Sequence, residues 1–342
     1  MRLSVLDQST VVTGRSPDQS IRETLALAQH CEAMGYDRYW LAEHHNSDSV
    51  AGSAPEVLLA ALAVTTSRIR LGSAGVMLPH YSALKVAEQF RVLEALAPGR
   101  IDLGVGRAPG SDGLTAHALN PNAATAAEQF PAQLRDLLAW SAGQSLGEKH
   151  PFRAIQAQPS GPGAPELWVL GSSEYGAQVA AHFGLPYCFA HFITDGQGAA
   201  EAMSLYRALY KPSQRHPAPH AAICVWALAC ESEAQAEHQF ASRAYWRLGR
   251  DRGVFAPLPT PEEALAAPLS DLERARIERV RQNALIGTGP QVLAALGRLA
   301  AETAADEVAV LTTTHDPEIR RLSYTLLAEA AGLRRGAPCE AA

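Results

Sequence analysis

Short apolar runs and longer stretches of helical period alternate along almost the whole chain. Residues 3–6, 39–42, 69–74, 101–105, 167–170, 186–190, 221–229 and 307–311 read as buried strands. Between them lie stretches such as 20–34, where Ile21, Leu25, Ala28 and Cys31 recur at helical spacing, and 82–97, where Val86, Phe90, Leu93 and Ala97 form one stripe. Gly35 and Pro98-Gly99 end those two helices. Strand followed by helix followed by strand is the grammar of parallel sheets, because each helix carries the chain back to the same end. Eight such strands fit a (β/α)8 TIM barrel, which takes about 250 residues plus insertions, and the chain has 342. A doubly wound open sheet is the competing architecture. No GxGxxG follows the first strand, which weakens its dinucleotide-binding version.

Further helices are expected at 54–66, 124–141, 174–182, 198–208, 231–248 and 319–331, and another opening at Ile286. Two stretches break the rhythm and read as insertions. Glycines and prolines cluster late in 143–165, and 249–282 carries Pro257, Pro259, Pro261 and Pro268 before a charged run. One barrel domain over 1–335 with a flexible tail at 336–342 is the resulting expectation.

Composition removes several function classes. A formal net charge of -6 gives no general attraction to nucleic acid or anionic lipid. Aromatic residues make up 6% and are not interleaved with basic ones, so base stacking has no platform. The apolar runs stop well short of the roughly 18 residues a membrane span needs. The five cysteines are scattered without a CxxC, which argues against a structural zinc site or a disulfide framework. The first residues read as a strand, not a signal peptide, so a cytoplasmic location is expected.

In a parallel barrel the C-terminal strand ends gather on one face. Here that face collects Asp7-Gln8, Glu43-His44-His45, residues 75–80, Gly106-Arg107, Gly171-Ser172-Ser173, His191 and residues 312–315. A polar, partly cationic mouth over an apolar barrel is the place for a ligand. Glu43-His44-His45 allows three readings: metal ligands, an acid/base pair, or polar scaffolding. Adjacent histidines point apart on extended chain and lack the HExxH spacing, so metal is disfavoured. One imidazole held by a carboxylate suffices for acid/base work. Arg107 offers a guanidinium to a phosphate. A helix starting at Ser172-Ser173-Glu174 offers free N–H groups and hydroxyls to the same anion, unless a serine simply caps it. Neither GxSxG nor GxxxxGK[ST] is present.

These residues carry a resemblance. The pieces Tyr39-Trp-Leu-Ala-Glu-His-His-Asn46, Leu71-Gly-Ser-Ala-Gly-Val-Met-Leu-Pro79, Ala87-Glu-Gln-Phe90, Pro98-Gly-Arg-Ile-Asp-Leu-Gly-Val-Gly-Arg107 and Trp168-Val-Leu-Gly-Ser-Ser173 occur in order. With them the chain resembles the bacterial luciferase-like flavin monooxygenase superfamily over about 1–335, nearest to its single-chain oxidoreductases of unassigned substrate. The resemblance implies a (β/α)8 barrel that takes reduced FMN at the mouth, reacts it with O₂ and forms a C4a-peroxyflavin. It maps the catalytic imidazole onto His44 and the phosphate seat onto Arg107 and Ser172, with Tyr175 a weaker match. It places a non-proline cis peptide behind the flavin ring at Ala74-Gly75. It also implies a separate NAD(P)H-dependent flavin reductase, a lid for which 249–282 is the candidate, and a homodimer through the helices near 54–66 and 82–97. Gly106 stands where luminous members carry a reactive cysteine, so light emission is not implied. One branch uses the deazaflavin F420 for hydride transfer without oxygen insertion, and other relatives bind flavin without known turnover. Both remain alternatives.

Overall fold

The computed structural model describes residues 1–108 and 110–333. Its strands are β1 (Arg2–Asp7), β2 (Arg38–Leu41), β3 (Arg70–Met77), β4 (Ile101–Gly106), β5 (Glu166–Gly171), β6 (Tyr187–Ala190), β7 (Ala221–Cys230), β8 (Leu285–Thr288) and β9 (Glu307–Leu311). All pair in parallel. β9 bonds both β7 and β1, so β1 to β7 and β9 close into a ring with helices outside. This is the (β/α)8 TIM barrel that the strand–helix alternation implies.

The barrel interior is layered. At the N-terminal end the Arg38 guanidinium lies 2.8 Å from Asp102, 3.0 Å from Glu166 and 3.1 Å from Glu307. One layer up, Trp40 and Trp168 meet edge to face with centroids 5.0 Å apart, and Trp40 donates to Asp102 at 2.9 Å. Ala42, Leu170, Cys188 and Cys224 continue the interior upward as an apolar floor under the mouth. Ion pairs thus close the bottom, and the top is left for a ligand.

Several boundaries differ from the sequence reading, each for a local reason. β3 does not stop at 74. It runs to Met77 and ends in a short turn, Leu78–His80, because the Glu43 carboxylate accepts the Met77 N–H at 3.1 Å. Its pairing with β4 slips between Ala74 and Val76, and the Ala74–Gly75 peptide is cis. The first helix begins at Pro17, inside the expected loop, since proline suits a first turn and Gln19 accepts the Ser16 N–H at 3.1 Å. The expected helix 124–141 divides into Ala123–Glu128 and Phe130–Ser141, because Pro131 cannot continue a helix and instead opens one. A further helix, Gly113–Leu119, precedes it, with Asp112 accepting the Thr115 N–H at 3.0 Å. Ile286 opens no helix directly: Leu285–Thr288 first pairs with the C-terminal half of β7, which outreaches its neighbour β9. The helix Gly289–Glu302 follows.

The insertion at 143–165 is irregular, and Arg91 gathers its backbone, donating to Ser141 and Gly161 at 2.8 Å and to Pro159 at 2.7 Å. The insertion at 249–282 is more ordered than its prolines suggest. The helix Glu233–Asp251 runs into it, and Pro261–Ala266 and Asp271–Gln282 follow. Thr260 and Ser270 start those two helices with capping boxes, and Pro261 lies in a first turn. Buried Leu258 joins Val12 and Trp246 in a small separate core, which pins this insertion beside the exit of β1. Among the described residues no helix is long and apolar enough to cross a membrane. The tail expected at 336–342 lies outside the described residues.

Candidate functional site

β2 delivers Glu43, His44 and His45 to the mouth, where the two imidazoles part. Glu43 is 1% exposed, and its carboxylate is fully engaged. Its Oε1 accepts the Tyr81 hydroxyl at 2.6 Å and lies 2.8 Å from His45 Nε2. Its other oxygen holds Met77. Glu43 and His45 therefore fasten the exit of β3 to that of β2. His44 anchors only its backbone, donating to Gly52 at 2.9 Å, and turns its ring to the cavity. Its Nδ1 is buried without a hydrogen-bond partner among the described residues. Burial, with the nearby Arg250 cation as the next cause, pushes the His44 pKa down to about 4. The ring is thus neutral at physiological pH and has a nitrogen available for a proton. Among the described residues no three His, Cys, Asp or Glu side chains group as metal ligands.

His44 shares one cavity of about 380 Å³ with Ala74, Gly75, Arg107, Ser172 and Tyr175. The size falls within the roughly 300–1,000 Å³ of small-molecule sites. A Cβ on Gly75 would sit 2.4 Å from Leu170 Cδ1 and 2.7 Å from the Gly104 carbonyl oxygen, so only glycine fits this wall. Arg107 leaves β4 exposed, its guanidinium 4.1 Å from the centre of the Tyr175 ring. Tyr175 lies in the first turn of the helix Glu174–Phe183. Ser173 occupies the N-cap position, yet its side chain makes no capping bond. The first-turn N–H groups are therefore open to an anion beside Arg107.

Other strand-end residues serve the scaffold. Asp7 is spent on Arg320 at 2.7 Å, Tyr39 at 2.6 Å, and Thr24 and the Ser9 N–H at 2.8 Å. Thr312 donates to Ala227 at 2.8 Å, and His315 Nε2 lies 2.9 Å from the Thr13 carbonyl. His191 does not line the cavity, whereas its neighbours Phe192 and Ile193 do.

A second chamber of about 190 Å³ adjoins the first and shares Gln8, Phe192, Ile193 and Arg250 with it. Arg243, Arg247 and Arg250 enter it from the helix Glu233–Asp251. The sequence reading did not single them out, although their spacing of four and then three places them on one helix face. Of the insertion at 249–282, Arg250, Asp251 and Phe255 line this chamber.

The family model described as luciferase-like monooxygenase matches residues 1–307. The chain belongs to that family. A luciferase-like monooxygenase of Escherichia coli K12 is 38% identical over 94% of this chain and 95% of its own. The N-acetyl-S-alkylcysteine monooxygenase of Bacillus subtilis 168 is 37% identical over 96% of this chain and 98% of its own. The crystal structure of apo-MsnO8 superposes with a TM-score of 0.89 at 36% identity, covering 98% of this chain and 99% of that one. The chain is accordingly an oxidoreductase of the luciferase-like class by family.

Proposed function

We propose that this luciferase-like protein is a monooxygenase that uses externally reduced FMN and O₂ on a small organic substrate. The observation that carries this reading is the convergence of His44, Ala74, Gly75, Arg107, Ser172 and Tyr175 on one cavity. The residues suit the cofactor. An apolar floor and a wall without a Cβ at Gly75 fit a flat ring, while Arg107 and an uncapped helix start fit a phosphate. Reduced FMN, when bound, supplies electrons and, at C4a, the position where O₂ is activated. The rest is done by the chain. Arg107, Ser172 and Tyr175 would hold the phosphate end. Gly75 admits the ring. His44, neutral and with its Nδ1 unpartnered among the described residues, would give or take a proton in the cavity. Phe192, Ile193 and the residues from Arg250 to Phe255 form the side that must close to exclude water. With no nicotinamide motif in the chain, a separate NAD(P)H-dependent flavin reductase is the source of reduced FMN.

Flavin titration tests the cofactor assignment. FMN is expected to bind, and Arg107→Ala to weaken it about tenfold or more, the worth of a charge-assisted hydrogen bond. Riboflavin, which lacks the phosphate, should be unaffected by that change. Equal loss of both flavins would remove the phosphate role, and preference for F420 would remove FMN. Mixing the complex with reduced FMN against O₂ should then give a spectral phase unlike either reduced or oxidised flavin. Reoxidation at the rate of free reduced FMN would count against oxygenation.

A further inference from the structure

Buried cations without counter-charges need an explanation, and the second chamber contains one. Arg243 is 7% exposed, and its guanidinium lies 4.5 Å from the centre of the Trp226 ring. Among the described residues it has no ion pair and no hydrogen bond. The acidic side chains around the chamber are committed to other arginines. Asp195 lies 3.2 Å from Arg247 and 3.7 Å from Arg276, and Asp251 lies 2.8 Å from Arg276 and 3.5 Å from Arg247. Arg247 is also structural, donating to the Phe192 carbonyl at 3.1 Å. Arg250 too has no ion pair among the described residues and rests against Trp246 and Phe255, 4.8 and 5.2 Å from their ring centres. The chamber is therefore lined by three arginines, Arg243, Arg247 and Arg250, against one carboxylate, Asp251, which Arg247 and Arg276 already share.

A guanidinium stacked on an indole keeps its edge N–H groups free for a planar anion, and a buried one is costly unless such an anion arrives. The surroundings narrow the choice. Phe192, Ile193, Trp246, Phe255 and Leu311 make most of the remaining wall apolar, Gln8 and Asp251 being its other polar members, and the volume of about 190 Å³ suits one small group. Shared walls at Gln8 and Phe192 lead from this chamber to His44.

We propose that Arg243 and Arg250 form a carboxylate subsite, which makes the substrate a small organic acid held by its carboxylate with its apolar part directed towards His44. This rests on the monooxygenase reading and adds the substrate class. Burial and the neighbouring Arg247 push the Arg243 pKa down to about 9, which leaves it cationic at neutral pH. The flavin phosphate does not compete for this role, because Arg107 and the helix start at Glu174 line the other chamber and not this one.

Calorimetry on the FMN-loaded protein with hexanoate and its uncharged isostere hexanamide tests the subsite without a known substrate. Hexanoate should bind at least about tenfold more tightly than hexanamide. Arg243→Gln should abolish that preference, Arg243→Lys should restore part of it, and FMN affinity measured on the same samples should stay within about twofold. Arg250→Gln, at a less buried position, should also reduce the preference and guards against a folding defect in the first variant. Equal binding of acid and amide, or a preference that survives both glutamine variants, overturns the proposal. So does loss of FMN together with hexanoate, with inorganic phosphate displacing both, since the arginines would then serve the cofactor. Absence of FMN binding in the wild type is a separate result and overturns the monooxygenase reading instead.

Discussion

At the scale of single residues, His44 shows how position decides chemistry. Two adjacent imidazoles leave the same strand, yet one is tied to Glu43 and the other faces a cavity with a free nitrogen. The depressed pKa of His44 has a consequence for stability. An unfolded histidine titrates near 6.5, whereas the folded one does so at about 4. Between those values the unfolded chain binds a proton that the folded chain refuses. The contribution of His44 is thus fully present above pH 6.5 and is lost as pH falls towards 4. His44→Gln should flatten the fall in melting temperature across that window while leaving flavin binding in place. Parallel melting curves for the two proteins would mean that the ring is solvated. Arg250 is the second cause of the shift, so Arg250→Gln should raise the His44 pKa, a change readable by NMR titration of the ring.

At the scale of elements, the pairing of β3 with β4 shapes the wall of the site, and it depends on missing side chains. A Cβ on Gly104 would lie 2.2 Å from the Ser73 carbonyl oxygen, a backbone atom that cannot step aside. Gly104→Ala should therefore destabilise the fold by about 1–3 kcal/mol, the usual cost of overpacking, as read by denaturant unfolding. Unchanged stability would show that the two strands separate freely. The same pair shows how far the sequence can be read. Period and apolar runs located all eight barrel strands, since each is long or buried enough to leave a pattern. They missed β8, whose four residues Leu285–Thr288 are too few to show a period and are explained only by the overhanging end of β7. They ended β3 early, because its extension depends on a bond from Met77 to Glu43, far away in sequence. In the mouth, His44 and Arg107 were legible from motifs at strand ends. Arg243 was not, because arginines on an amphipathic helix usually mark a solvated face, and only packing against Trp226 reveals this one as buried.

For the whole molecule the remaining question is what covers an apolar flank. Val57 and Val64 on the helix Pro55–Thr65 are 64% and 70% exposed, and Val92 and Leu96 on the helix Ala83–Leu96 are 48% exposed each. The helices lie side by side, with Gln89 donating to Glu56 at 3.3 Å. Valines seven apart on one helix and an apolar pair four apart on its neighbour each share one face of their helix, which sets them apart from singly scattered residues. Leu114 and Leu272 are more exposed, at 81% each, but each stands on its own separate helix. This flank therefore fits a self-complementary contact between two copies, the commonest way for such a face to be buried. A standard interface needs about 800 Å² from each partner, which two neighbouring helices can supply. Light scattering should find the wild-type protein dimeric at micromolar concentration. Val64→Asp should shift it to the monomer with little change in the melting temperature of the dissociated chain, since the side chain is already exposed there. Leu114→Asp should leave the mass unchanged. A wild-type monomer, or a Val64→Asp protein that stays dimeric, would exclude this flank as the interface and leave it as bare surface.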